Sequence, residues 1–130
     1  YEKIPITEDV SESGVLTVLL HNNNRIVYYE GDLKNDPPVK ETGYAAGEIR
    51  NVLMQKMNSV KRIRGDADQF VLIIKPSAAS HFKNFVDITD EVTICQVKRY
   101  YIDELNEADK RILLKTNKNK AKRTKEKRSL

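Results

Sequence analysis

The order of apolar and polar residues between positions 70 and 102 indicates a strand, a helix and a second strand. Residues 70–74, with the sequence FVLII, contain no polar side chain. Such a run is typical of a central strand that is covered on at least one face. Residues 82–92 place apolar side chains at helical spacing, and residues 96–102 alternate as a partly exposed strand does.

A β-hairpin is predicted before this unit. The segment VLTVLL after Gly14 alternates between two faces, and residues 26–30 form a second strand-like run. Three asparagines separate the two runs, and asparagine tolerates the left-handed backbone of a tight turn. Residues 32–43 contain two prolines and show no sustained period, so a loop is predicted there.

A long helix is predicted from about Tyr44, because the spacing of apolar residues changes there from two to about 3.6. It should end near Gly65, a residue suited to a left-handed cap. Asn106 is predicted to cap a short C-terminal helix, with Asp109 at its third position. The residues predicted to be buried are Leu16, Val18, Ile49, Leu53, Val71, Ile73, Phe85 and Val92, with Phe82, Val86 and Thr89 also facing the core.

The resulting order, β-β-α-β-α-β, predicts an α+β fold with a small mixed sheet of about four strands. Two main helices should lie on one face of the sheet, and a short helix should follow the last strand. Residues 1–13 are predicted to be a polar linker, and residues 14–115 the folded domain. Residues 116–130 have few apolar side chains and are predicted to be a disordered basic tail.

The positive charge of the chain is concentrated in that tail. The net charge is +4 at pH 7, yet residues 118–130 carry seven cations and one glutamate, so residues 1–117 have a net charge of −2. The tail is expected to attract an anionic membrane surface or a cell-wall polymer. Its cations are Lys118, Lys120, Lys122, Arg123, Lys125, Lys127 and Arg128.

The histidine, cysteine and acidic residues show no arrangement in the sequence that is typical of a catalytic, cofactor-binding or metal site. His21 and His81 lie far from each other and from Cys95, so the sequence has no metal-ligand spacing and no pair for a disulfide. The acidic residues between positions 87 and 91 favour a solvated helix face over an acid–base pair. The chain is therefore not expected to be an enzyme or to bind a cofactor.

Aromatic and basic residues on the predicted strands suggest a binding surface. Such residues could stack nucleic-acid bases, but the body is net negative and lacks the glycine-rich aromatic strand motif, so no nucleic acid is expected. An exposed strand can instead add a strand from a partner. The candidate edge residues are Val27 and Tyr29 in the hairpin and Lys98, Arg99, Tyr100 and Tyr101 in the final strand.

Three segments resemble the periplasmic domain of the ExbD/TolR biopolymer transport family, most closely its Bacteroidetes ExbD branch. They are the hairpin VLTVLLHNNNRIVYYEG, the strand FVLIIKP and the ending VDITDEVTICQVKRYYI. The resemblance covers about residues 14–104, and Asp90 takes the place of the helix aspartate. Lys75-Pro76 and Cys95-Gln96 depart from the family pattern, and the basic tail extends beyond a typical end.

This resemblance implies a single-pass stator subunit of the bacterial inner membrane, with this domain in the periplasm. The domain would form a homodimer and, with ExbB-like and TonB-like partners, couple the proton-motive force to outer-membrane transport. The membrane helix would precede Tyr1, so the chain is expected to be a fragment. The alternative is a cytoplasmic regulatory or nucleic-acid-associated α/β domain that binds through its basic tail.

Overall fold

The computed structural model describes the backbone of residues 14–128 and the side chains of residues 14–118. The strands are β1 (Val15–Leu20), β2 (Arg25–Glu30), β3 (Lys40–Gly43), β4 (Val71–Pro76) and β5 (Tyr100–Ile102), and the main helices are α1 (Glu48–Arg64), α2 (Phe82–Cys95) and α3 (Glu107–Arg128). The strands form one mixed sheet in the order β3-β2-β1-β4-β5. Antiparallel pairing joins β1 to β2 and β2 to β3, whereas β4 pairs in parallel with β1 and β5. The predicted α+β class is confirmed.

The turn between β1 and β2 confirms the predicted hairpin. Asn23 and Asn24 have φ angles of 55° and 57°, the left-handed conformation that asparagine tolerates better than most residues. Gly65 has a φ of 84° and ends α1, where its N–H bonds to the carbonyl of Lys61. Local sequence therefore determines both of these backbone reversals.

Helices α1 and α2 cover one face of the sheet, as predicted. The main core lies between them and the strands, and its central side chains include Leu53 of α1, Ile88 of α2 and Leu72 of β4, all fully buried. Burial of each such side chain contributes about 1.5–3 kcal/mol relative to its exposure. Of the eight residues predicted to be buried, Phe85 alone is only partly buried; the others are Leu16, Val18, Ile49, Leu53, Val71, Ile73 and Val92.

Helix α3 lies against the opposite face. Leu113 packs there on Leu19 of β1 and on Val27 and Tyr29 of β2. This second layer helps to explain why β1 lacks a polar face, since Leu19 is buried beneath it; on the same face, Val71 and Ile73 of β4 pack with Val15 and Tyr101.

The predicted C-terminal helix is present, and it is longer than expected, since it continues through the segment predicted to be a disordered tail. Helix α3 has 22 residues and reaches Arg128. The segment contains neither glycine nor proline, and lysine, arginine, alanine and glutamate are good helix formers. A lack of apolar residues limits burial, but it does not prevent a helix that is anchored at its first turns. Residues 1–13, the predicted linker, lie outside the described part of the chain.

Three further details differ from the sequence prediction. Residues 40–43, predicted as loop, form the edge strand β3, which is too short and polar to show a period. The final strand covers only residues 100–102, because residues 97–99 are irregular. Helix α2 turns Asn84 inward and leaves Phe82 80% exposed, so its buried face is rotated from the predicted one.

None of the helices in the described part of the chain combines the length and the apolar character needed to cross a membrane.

Candidate functional site

Strand β5 ends the sheet on one side, and its hydrogen bonds show which backbone groups point outward. The N–H of Leu72 bonds to the carbonyl of Arg99 at 2.9 Å, and the N–H of Asp103 bonds to the carbonyl of Ile74 at 3.0 Å. Alternate residues of a strand point their N–H and C=O groups to opposite sides, so those of Tyr100 and Ile102 point away from β4. No strand within residues 14–128 pairs with this edge.

The side chains predicted for this edge differ in position. Tyr100 is 44% exposed, whereas Tyr101 is half-buried against Val71 and Ile73. Lys98 is exposed and lies 3.3 Å from a carboxylate oxygen of Asp68. Arg99 is half-buried just before the strand. Lys98, Arg99, Tyr100 and Tyr101 thus lie on or beside one free edge. Tyr100 is the more accessible of the two tyrosines.

The placement of Val27 and Tyr29 at a sheet edge was wrong. Strand β2 is an interior strand, because β3 pairs with its outer side, with Val27 opposite Glu41. Both side chains are buried beneath α3, where Val27 is 0% and Tyr29 4% exposed. The sequence does not predict β3, so it does not show that β2 is an interior strand.

A buried polar cluster anchors the first turn of α3 to the sheet. Asp109, fully buried, accepts a hydrogen bond of 2.7 Å from the Tyr29 hydroxyl and one of 2.7 Å from Nζ of Lys75. Its carboxylate also accepts from the N–H of Asn106 at 3.0 Å, and Asn106 Oδ1 accepts from the N–H of Asp109 at 2.8 Å. Asp109, which completes the cap predicted at Asn106, is therefore also half of a buried ion pair.

The electrostatics of this cluster favour the protonated form of Tyr29. Burial raises the pKa of Tyr29 far above its usual value, and the hydrogen bond to Asp109 raises it further. The protonated Tyr29 hydroxyl can therefore donate to the Asp109 carboxylate, and this contact holds α3 on the sheet. A lysine at the end of an otherwise apolar strand was the sequence signal for this cluster.

A second polar contact fixes α3 two turns later. Asn117 Oδ1 lies 3.0 Å from Nε2 of His21 and accepts a hydrogen bond of 2.8 Å from Nη2 of Arg25. Arg25 also pairs with Glu41 of β3 at 3.0 Å. Burial lowers the pKa of His21, and the charge of Arg25 lowers it further. His21 and Arg25 therefore hold α3 on the sheet, and the folded unit extends at least to residue 117.

The other histidine, the cysteine and the acidic residues of α2 lie apart from these two polar clusters. His81 is exposed and caps α2. Glu91 pairs with Arg50 at 2.8 Å, and burial raises the pKa of the half-buried Cys95 thiol. Asp90 is exposed on α2. Within the described residues, no group of three or more histidine, cysteine or acidic side chains could hold a metal ion.

The cations predicted to bind an anionic surface belong to the last turns of α3. Lys118 is exposed, and the side chains of the other six lie outside the described part of the chain. Comparison with known proteins gives no match to a family model, to a curated protein or to a solved structure.

Proposed function

We propose that this chain is a protein-interaction domain that acts as the periplasmic part of an ExbD-like stator subunit. In this role it pairs with a second copy and, with ExbB-like and TonB-like partners, transmits the proton-motive force to outer-membrane transport. The resemblance in sequence supplies the family, and the free edge of β5 is the observation that supports docking. Outward N–H and C=O groups at Tyr100 and Ile102 offer hydrogen bonds to an added strand.

The local chemistry suits an extended protein partner. Tyr100 offers a large, partly exposed ring beside the free backbone, and aromatic side chains are enriched in protein interfaces. Strand addition obtains affinity from the main chain and specificity from side chains on alternate positions. The same edge accommodates a second copy or a TonB-like segment, one at a time.

A proline at position 100 tests the docking mode directly. Because the N–H of Tyr100 points outward, Tyr100→Pro removes a donor from the free edge and leaves the β4–β5 hydrogen bonds in place. We expect Tyr100→Pro in the full-length protein to abolish cross-linking to a tagged TonB-like protein and to a second copy. Tyr100→Ala is the matched control, since it removes the ring but keeps the N–H; it should retain most of the cross-linking. Equal cross-linking of both variants and the unaltered protein would rule out docking at β5.

The stator assignment has its own test. The gene should encode about 20 apolar residues with one aspartate upstream of Tyr1, and the full-length protein should co-purify from membranes with an ExbB-like protein. A cytosolic protein that binds an oligonucleotide through the tail would instead establish the alternative, a nucleic-acid-associated domain.

A further inference from the structure

The sheet has a second free edge, at β3, and its geometry can be derived from the hairpin. The N–H of Gly31 bonds to the carbonyl of Val15, and the N–H of His21 bonds to the carbonyl of Arg25, so the odd-numbered residues of β2 face β1. The even-numbered residues therefore face β3, where Ile26 is opposite Thr42 and Tyr28 opposite Lys40. It follows that the N–H and C=O of Glu41, between those two, point away from the sheet.

A groove opens beside this edge on the face that carries α3. Its volume is about 690 Å³, and it lies between α3 and the segment that leads into β3. Leu33, Pro37 and Val39 line it from one side, and Ala108 and Ile112 from the other. Val39 is 44% exposed, so apolar surface faces solvent directly next to a strand edge with unused hydrogen-bonding groups.

The charges around the groove define the partner that fits it. Arg111 and Lys115 lie one turn apart on the α3 wall, and neither forms an ion pair with another described residue. On the opposite wall, the charge of Glu41 is compensated by Arg25 at 3.0 Å, which leaves Asp36 as the uncompensated acid. Arg111 and Lys115 thus attract acidic side chains, while the apolar residues that line the groove accept apolar ones.

We propose that this groove and the edge of β3 bind an extended peptide segment that presents both apolar and acidic side chains on its groove-facing side, at every second position. The segment adds to the sheet as a strand beside β3 and hydrogen-bonds to the outward groups of Glu41. Residues of a strand alternate between its faces, so every second side chain enters the groove, where acidic ones meet Arg111 and Lys115 and apolar ones meet Val39 and Ile112. The surface is separate from the β5 edge and does not depend on the stator assignment.

A synthetic ten-residue peptide with the repeat Val-Thr-Glu-Thr is the probe, because one face of its strand then carries both valine and glutamate. Added to the whole chain, it should slow the amide hydrogen exchange of Glu41 and leave the amides of Tyr100 and Ile102 unchanged. The amide of Thr42, already bonded to β2, serves as the internal reference. The same peptide with lysine in place of each glutamate should bind at least about tenfold more weakly, because it places cations beside Arg111 and Lys115.

Two pairs of variants locate the binding. Arg111→Glu should weaken binding of the valine–glutamate peptide about tenfold, whereas Lys110→Glu, the same charge change one residue earlier, should change it less than about threefold. Glu41→Pro removes the outward N–H and should abolish binding, while Glu41→Ala keeps that N–H and should retain it.

Several results would overturn the proposal. They are equal affinity for the two peptides, equal effects of Arg111→Glu and Lys110→Glu, or protection of the Tyr100 amide in place of that of Glu41. A peptide that binds as a helix, seen from its circular dichroism, would equally exclude strand addition.

Discussion

Lys75 is the residue at which β4 stops being purely apolar, and it determines how α3 attaches. Its ammonium is 2.7 Å from Asp109, and both side chains are almost completely buried. Burying two charges is costly, and their attraction offsets the cost only when further hydrogen bonds satisfy the remaining lone pairs. Tyr29 and the N–H of Asn106 supply those bonds here.

Removing one partner of this pair should therefore be far worse than removing both. Asp109→Ala leaves a buried, unpaired ammonium and should lower the free energy of unfolding by about 3–5 kcal/mol. The double variant Lys75→Met with Asp109→Ala should recover a large part of that loss, and urea denaturation measures each value. Tyr29→Phe, which keeps the ion pair, should cost less than about 3 kcal/mol. If the double variant loses as much stability as Lys75→Met and Asp109→Ala lose together, the two charges do not interact.

His21 should make stability depend on pH. Burial and Arg25 lower its pKa in the folded state, so the unfolded state, with a pKa of about 6.5, binds the proton more tightly. The free energy of unfolding should consequently fall as the pH drops below about 6.5 and should be unaffected by this residue above that pH. Groups facing the ring are Arg25, Glu41 and Asn117. The measurement is urea denaturation at pH 7.5 and 5.5.

The variant His21→Gln isolates this contribution, because glutamine does not titrate. The change in stability between the two pH values should be smaller in the variant than in the unaltered protein. An identical change in both proteins would mean that other groups cause it.

At the scale of elements, α3 differs most from its sequence prediction, since a short helix was expected and 22 residues are helical. Its first half packs on β1 and β2 through Leu113, and its polar contacts at Asp109 and Asn117 are eight residues apart on the face toward the sheet. Beyond Asn117 the chain carries the cations of the predicted tail. The helix thus joins a docked segment to a strongly basic one.

Two truncations separate these segments. Deleting residues 118–130 keeps the contacts of Asp109, Leu113 and Asn117, so the melting temperature should barely change. Binding to anionic vesicles should fall and lose its salt dependence, since each cation near such a surface contributes about 1 kcal/mol. Deleting residues 107–130 instead exposes Leu19 and Val27 and should strongly destabilise the domain. Unfolding by the shorter deletion would show that the terminal half also supports the core.

At the scale of the whole molecule, one sheet carries two helices on one face, one on the other, and two edges without a strand partner among the described residues. The edges differ in character. The β5 edge presents Tyr100, whereas the β3 edge lies beside an apolar groove with a basic wall. This difference allows the two edges to take different partners.

Self-association through β5 is expected to be weak to moderate. Sedimentation equilibrium at rising concentration should show a monomer–dimer equilibrium, and Tyr100→Pro should shift it to monomer, whereas Tyr100→Ala should not. A strict monomer at high concentration would contradict the expected homodimer of the isolated chain.

The sequence alone determined the features that depend on local pattern. Alternation predicted β1 and β2, the asparagine turn predicted their reversal, and helical spacing with Gly65 predicted α1 and its end. The continuous apolar run at 70–74 predicted a central strand, because burial on two faces leaves no polar face. Asn106 with Asp109 predicted where α3 begins.

Only the tertiary structure decided the features that depend on what packs against what. Apolar residues occur all round α2, so the sequence could not fix whether Phe82 or Ile88 faces the core. The pairing of β3 with β2 moved Val27 and Tyr29 from the edge to the interior, and four residues are too few to show a period. The contact between Lys75 and Asp109 joins residues 34 positions apart, and no local pattern specifies such a distance.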